Sequence, residues 1–435
     1  MNCENLAGFR TAGRLLAIQL DVNSGDRCCH VIVKGPNFPR AAVVLFFSLI
    51  LLAQAGLAAT INPQPPVSHA RSRGITESPR TRRHMRHLAR SRAVQSRSVT
   101  ALKRHHYYEH FYASSYSSDI TDGDVTVGED PVVRQAAIDA LGNMNGTVLA
   151  IEPTSGRILA MVNQKLALSS GDQPCSTIKL SVALAALSEG IITKETEVRL
   201  GGRSHMNLTL ALAHSNNAYF EALGRQLGFE RVAYYAHQFG LGEMAGYHIP
   251  GEQPGIYPQT EISAKLGGVG KMCSFGEGIS MTPLQLGSLV TAIANGGTMY
   301  YLQHPTTVAE VANFQPIVKR HLDIADMIPE ISDGMAGAVN YGTARRLRVN
   351  FDEEEILGKT GTCSRAGTRF GWFASYANTS AGRVVVVVFL QGGRPTFGPK
   401  AAEIAGRMYR NLYDHDFFLA KPVLPAESDA STDPN

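Results

Sequence analysis

A chain of 435 residues with 44% hydrophobic and 18% charged residues is long enough to bury a large core and has the composition of a globular, enzyme-sized protein. The net charge of +4 is modest, but most of the basic excess sits ahead of residue 105, so the charge describes a segment and not the whole. Six cysteines are too few and too scattered for a disulfide framework, and none has zinc-site spacing, so no structural metal is expected; no cofactor is expected either.

Residues 1–40 show no obvious periodicity and are expected to be a poorly ordered extension without assigned function. Residues 41–59 are almost wholly apolar, follow Lys34 and Arg40, and end in the small residues Gly56, Ala58 and Ala59. This suits an export signal, cleaved or kept as a membrane anchor, and both readings stay open. Either exports the rest to a periplasmic or other extracytoplasmic location. Residues 60–120 begin with a run that includes Arg71, Arg73, Arg80, Arg82, Arg83 and Arg86 against the single acid Glu77, with few large apolar side chains. Such a run cannot bury a core and reads as a disordered basic tether. Anionic lipid or wall polymer is its possible partner through charge; nucleic acid is not expected beyond an export signal.

The region 121–420 reads as one domain, and 421–435 as a disordered tail. Val132–Leu141 reads as a helix, and Gly146–Met161 as a hairpin turning at Pro153–Gly156. Ser176–Leu187 and Leu208–Leu227 have helical spacing, with Gly228 a plausible stop, and Gly240–Gly255 is loop-like. Met281–Asn295 reads as a helix opening at Thr282-Pro283 and closing at Asn295-Gly296-Gly297. Three strands in succession, Ile356–Thr362, Phe370–Ala377 and Arg383–Leu390, precede a helix over Pro399–Tyr413. Helices in the middle and a closing antiparallel sheet predict an α+β domain.

Ser176-Thr177-Ile178-Lys179 puts a hydroxyl and an amine on one helix face. A serine hydroxyl is a poor nucleophile until a base takes its proton, and an amine serves if burial or nearby cations lower its pKa. Alone the pair is weak, because serine and lysine three apart arise by chance. It is joined by Ser215-Asn216-Asn217 between two helical stretches, and by Lys359-Thr360-Gly361-Thr362 on a predicted strand followed by Gly371-Trp372-Phe373. The ordered triple S-x-x-K, S-x-N, K-T-G is the signature of penicillin-binding proteins and serine β-lactamases.

From Gly146 to Tyr413 the sequence resembles the transpeptidase domain of penicillin-binding proteins, also in the stretches Gly146–Met161, Gly276–Gln285, Asn295–Gly297 and Gly342–Ala344. The resemblance implies a β-lactamase/transpeptidase-like fold, an antiparallel sheet flanked by helices with the active site between the sheet and a helical subdomain. It implies a serine acyltransferase on the D-Ala-D-Ala ends of peptidoglycan stem peptides, inhibited by β-lactams. Ser176 would be the nucleophile and Lys179 its base, while Ser215 would relay a proton to the leaving D-Ala. Asn217 would bind the substrate amide, and Lys359, Thr360 and Thr362 its carboxylate. The N–H groups of Ser176 and Thr362 would form the oxyanion hole. DD-carboxypeptidase, serine β-lactamase and a non-catalytic β-lactam sensor are the competing functions; Asn217, where class D β-lactamases usually carry an aliphatic residue, argues against that class.

Two positions depart from the family. Cys175 stands where glycine usually precedes the nucleophile, and Cys363 follows the third motif. Both should lie near the oxyanion; two free buried thiols are the expectation, and a disulfide is the alternative open to an exported protein. His214, Trp372 and the acidic run Asp352–Glu355 are read as structural, core and solvated loop respectively.

Overall fold

The computed structural model describes residues 109–379 and 382–418, with the backbone of four short strands nearer the start. Those strands, Gly8–Thr11, Arg14–Asp21, Cys29–Val33 and Val44–Leu45, pair antiparallel in chain order. A poorly ordered extension is expected there. The apolar run Leu15–Ile18 and the β-branched Val31, Ile32 and Val33 suit strands. The rest of 41–59, most of the basic tether and the tail 421–435 lie outside the described residues, among which no helix is long and apolar enough to cross a membrane.

Helix α1 (Pro131–Leu141) is opened by Asp130, whose carboxylate accepts from the N–H groups of Val132 and Val133. Strands β1 (Gly146–Glu152) and β2 (Arg157–Val162) form the expected hairpin. A 3₁₀ turn at Cys175–Ile178 runs into α2 (Lys179–Ser188). The single helix expected over 208–227 is two, α3 (Leu208–Ala213) and α4 (Asn217–Gln238). The chain breaks at Ser215, which has φ +55, and Asn216 caps the new helix by accepting from the Tyr219 N–H at 3.0 Å. Gly228, read as a stop, is a kink with φ +74 after which the helix resumes. Helices α5 (Gly268–Phe275), α6 (Pro283–Ala294) and α7 (Ile328–Asn340) follow. The closing strands are β3 (Glu355–Arg365), β4 (Thr368–Thr379) and β5 (Gly382–Gly392), and α8 (Gly398–Asp414) ends the domain.

The five strands form one antiparallel sheet in the order β3-β4-β5-β1-β2. Central strand β5 explains its own composition: Val385, Val387 and Phe389 enter the core shared with the helical region, while Val384, Val386, Val388 and Leu390 enter a second core under α1 and α8. A strand buried on both faces has no polar side to show. Strand β3 is at the edge of the sheet, so Lys359–Thr362 pair with a strand on one side only.

Helix α7 was not anticipated, because Gly334 and Gly337 lower helix propensity. Their purpose is close packing: a Cβ at Gly334 would stand 2.7 Å from Leu212 Cβ, and one at Gly337 would stand 3.1 Å from Ala213 Cβ. Residues 112 and 115, expected to fall in the tether, are bonded to the domain. Tyr112 N–H donates to Gly367 O at 2.9 Å, at the β3–β4 turn. The buried Ser115 Oγ accepts from the N–H of Gly393 at 2.7 Å and the hydroxyl of Thr396 at 3.0 Å, in the loop leading to α8.

At α6, Thr282 and Gln285 exchange side-chain-to-backbone bonds of 3.1 and 3.0 Å in a complete capping box. Thr282→Ala removes one of the two and should cost about 1 kcal/mol, read as a lower urea midpoint with an unchanged m-value.

Candidate active site

Ser176 lies in the first turn of the 3₁₀ segment, where N–H groups have no acceptor within the helix, and is 9% exposed. Three residues on, Lys179 is fully buried with its Nζ 3.0 Å from Ser176 Oγ. The same nitrogen is 2.7 Å from Ser215 O, 3.0 Å from Ser215 Oγ and 2.6 Å from Asn217 Oδ1. Ser215 O and Asn217 Oδ1 can only accept. A neutral amine has two N–H groups and one lone pair, so it satisfies both and turns the lone pair towards the Ser176 hydroxyl.

The environment favours that neutral form. Burial lowers the Lys179 pKa to about 6, the positive charge of Lys359 adds to the effect, and Glu221 opposes it. Lys359, also fully buried, is lowered by burial to about 7. Its Nζ donates to Ser215 Oγ at 2.8 Å and to Thr360 O at 3.0 Å. Ser215 Oγ thus bridges two lysines, a position fixed by the left-handed backbone between α3 and α4. All three sequence motifs meet within hydrogen-bond distance, the second and third across a separation of 144 residues.

The turn before Ser176 is braced against β3. A Cβ at Gly361 would stand 2.8 Å from Pro174 O and 3.2 Å from Thr177 Cγ2, so only glycine allows the edge strand this close. Trp372, on β4, is wholly buried and stacks on Phe389, as a core residue should, but its Nε1–H also donates to Gln173 O at 3.0 Å. Arg365 pairs with Asp172 at 2.9 Å. Cys175 and Cys363 are joined as a disulfide with Cα atoms 5.5 Å apart, which corrects the expectation of two free thiols. The glycine and the edge strand already bring the two positions together. Among the described residues the free cysteine is the buried Cys273.

The hydroxyls expected to hold a carboxylate have protein partners too. Thr360 Oγ1 donates to Thr343 Oγ1 at 2.6 Å, and Thr362 Oγ1 accepts from the Gly398 N–H at 2.8 Å, keeping its own proton to give. Thr343 went unnoticed as a site residue although it lies in Gly342–Ala344; no feature of its local sequence distinguishes it from a helix-end threonine. His214 is exposed, 5.8 Å from the Tyr341 ring, and touches neither lysine, which agrees with a structural role.

The model of the penicillin binding protein transpeptidase domain matches residues 146–413, which contain every group named above. The chain belongs to the penicillin-binding protein transpeptidase family. Stage V sporulation protein D of Bacillus subtilis is 27% identical over 60% of this chain and 48% of its own. Peptidoglycan D,D-transpeptidase MrdA of Acinetobacter baumannii is 25% identical over 70% of this chain and 55% of its own. This chain thus spans about half the length of these curated relatives. In fold, the transpeptidase domain resembles the crystal structure of Pseudomonas aeruginosa PBP2 in complex with WCK 5153, with a TM-score of 0.56 and 23% identity over 71% of this chain and 81% of that one.

The two depressed lysines predict a bell-shaped pH dependence for acylation of Ser176. The rate should rise with pH as Lys179 loses its proton near 6 and fall as Lys359 loses the charge that attracts a carboxylate, near 7 in the free protein. Second-order rate constants for a carboxylate-bearing acylating agent between pH 4 and 10 check this; a rate flat across that range contradicts it.

Proposed function

We propose that this transpeptidase domain is a serine acyltransferase that acts on the D-Ala-D-Ala ends of peptidoglycan stem peptides, a DD-transpeptidase acylated by β-lactams. The observation that carries the reading is the buried Lys179 Nζ, 3.0 Å from Ser176 Oγ, with its charge disfavoured by burial and by Lys359.

Neutral Lys179 takes the Ser176 proton as Oγ attacks the carbonyl carbon of the penultimate D-Ala. Charge on the carbonyl oxygen is met by the N–H groups of Ser176 and Thr362, on the helix turn and the edge strand. When the intermediate collapses, the C–N bond breaks and the departing amine receives a proton through Ser215 Oγ, which touches both Lys179 and Lys359. An acceptor amine then attacks the acyl-enzyme, restoring Ser176. Asn217 turns its Oδ1 to Lys179, leaving its N–H groups for the substrate amide. Lys359, Thr360 and Thr362 hold the terminal carboxylate. Residues 41–59, with their basic flank and small-residue exit, support a domain delivered to, or anchored at, the outer side of the cytoplasmic membrane, with the basic segment beyond them as tether or as a contact for anionic polymer.

Labelling with a fluorescent penicillin, beside Ser176→Ala and followed through washout, tests the reading. A stable adduct that the Ser176→Ala protein does not form is expected. Fast loss of label with release of hydrolysed antibiotic would make the domain a β-lactamase, and label on the alanine variant would remove Ser176 as the nucleophile.

A further inference from the structure

The two amides assigned to the oxyanion belong to different elements, one in the turn before α2 and one on the free edge of β3. Their spacing therefore depends on how these elements are tied. Glycine at 361 permits the approach, and the Trp372–Gln173 and Arg365–Asp172 contacts hold the turn three and four residues ahead of Ser176. Directly beside the amides stands the covalent tie: Cys175 precedes Ser176, Cys363 follows Thr362, and the bond closes a sequence separation of 188 residues.

Cys175 also has φ +52, a left-handed conformation that L side chains rarely adopt. The φ and ψ of residue 175 aim the peptide that carries the Ser176 N–H. A glycine would hold that conformation at no steric cost, whereas a free cysteine is drawn out of it and takes the amide with it. The cross-link removes that freedom. It is buried on the Cys175 side, and no other cysteine among the described residues is bonded to either partner.

We propose that the Cys175–Cys363 disulfide is a positioning element of the acylation site, holding residue 175 left-handed and the two amides at a fixed separation, so that Ser176 acylates efficiently only in the oxidised protein. The inference rests on the acyltransferase reading above. A dithiol reductant opens the bond by exchange: its two thiolates end as a cyclic disulfide, and two electrons and two protons pass to Cys175 and Cys363. The freed turn and strand then lose their common register, while the lysine and serine contacts on the far side of Ser176 remain.

The experiment is the second-order rate of penicillin labelling of the full chain, oxidised and after dithiol treatment, with peptide mapping to report the bond and a melting curve to report folding. Misplacing a catalytic donor by about 1 Å can cost about 100-fold, so a fall of about 10-fold to 100-fold on reduction is expected, reversed on reoxidation. Two double variants separate positioning from simple stapling. Cys175→Ala with Cys363→Ala should label slowly like the reduced protein. Cys175→Gly with Cys363→Ala should recover most of the oxidised rate and ignore reductant, because glycine holds the left-handed turn unaided. A folded, reduced protein that labels at the oxidised rate overturns the proposal, as does a glycine variant as slow as the alanine one. If the oxidised wild type forms no Ser176 adduct, it is the acyltransferase reading that fails, and amide hydrogen exchange decides the positioning. Faster exchange on reduction, confined to peptides covering 172–178 and 359–365, supports it; unchanged exchange overturns it.

Discussion

Two lysine side chains are buried within reach of one serine hydroxyl, and much of the domain exists to make that arrangement tolerable. An isolated buried ammonium is costly, and two near each other cost more. The structure lowers the cost by giving Lys179 two pure acceptors, Ser215 O and Asn217 Oδ1, and by giving Lys359 the Thr360 carbonyl and Ser215 Oγ. What remains is a depressed pKa on each, which in Lys179 is the property a base needs near neutral pH. The elements that place these partners, the break between α3 and α4 and the edge strand β3, are positioned by the two cores on either side of the sheet.

Much of this was legible in the sequence because it rests on local rules. The valine run of β5, the turn at Pro153–Gly156 and the Thr282-Pro283 start of α6 each carry their structure in their own composition. The motif residues Ser176, Lys179, Ser215, Asn217 and Lys359 also meet in one hydrogen-bonded group.

The rest depended on packing between distant segments. Helix α7 looks unfavourable by propensity until its glycines are seen against Leu212 and Ala213. Thr343 gains meaning only from Thr360, 17 residues along the chain and on a different element. Cys175 and Cys363 stand out in the sequence, yet their pairing turns on a distance that only the approach of β3 to the turn at Ser176 supplies. Gly228 shows the opposite error: a glycine taken as an end is accommodated as a bend, because the residues beyond it, among them Val232 and Ala236, still have a core face to bury.

Where the chain enters the domain bears on how mechanical load would travel through it. Tyr112 is bonded to the β3–β4 turn, and Ser115 is clasped by the loop that leads to α8, whose first N–H in turn meets Thr362. A pull on the residues ahead of 109 therefore strains first the tip of the hairpin that carries the third motif, not the far edge at β2. The entry strap is thus joined to the edge of the sheet that carries Thr360 and Thr362, and a force applied at residue 112 would meet those bonds before it met either core.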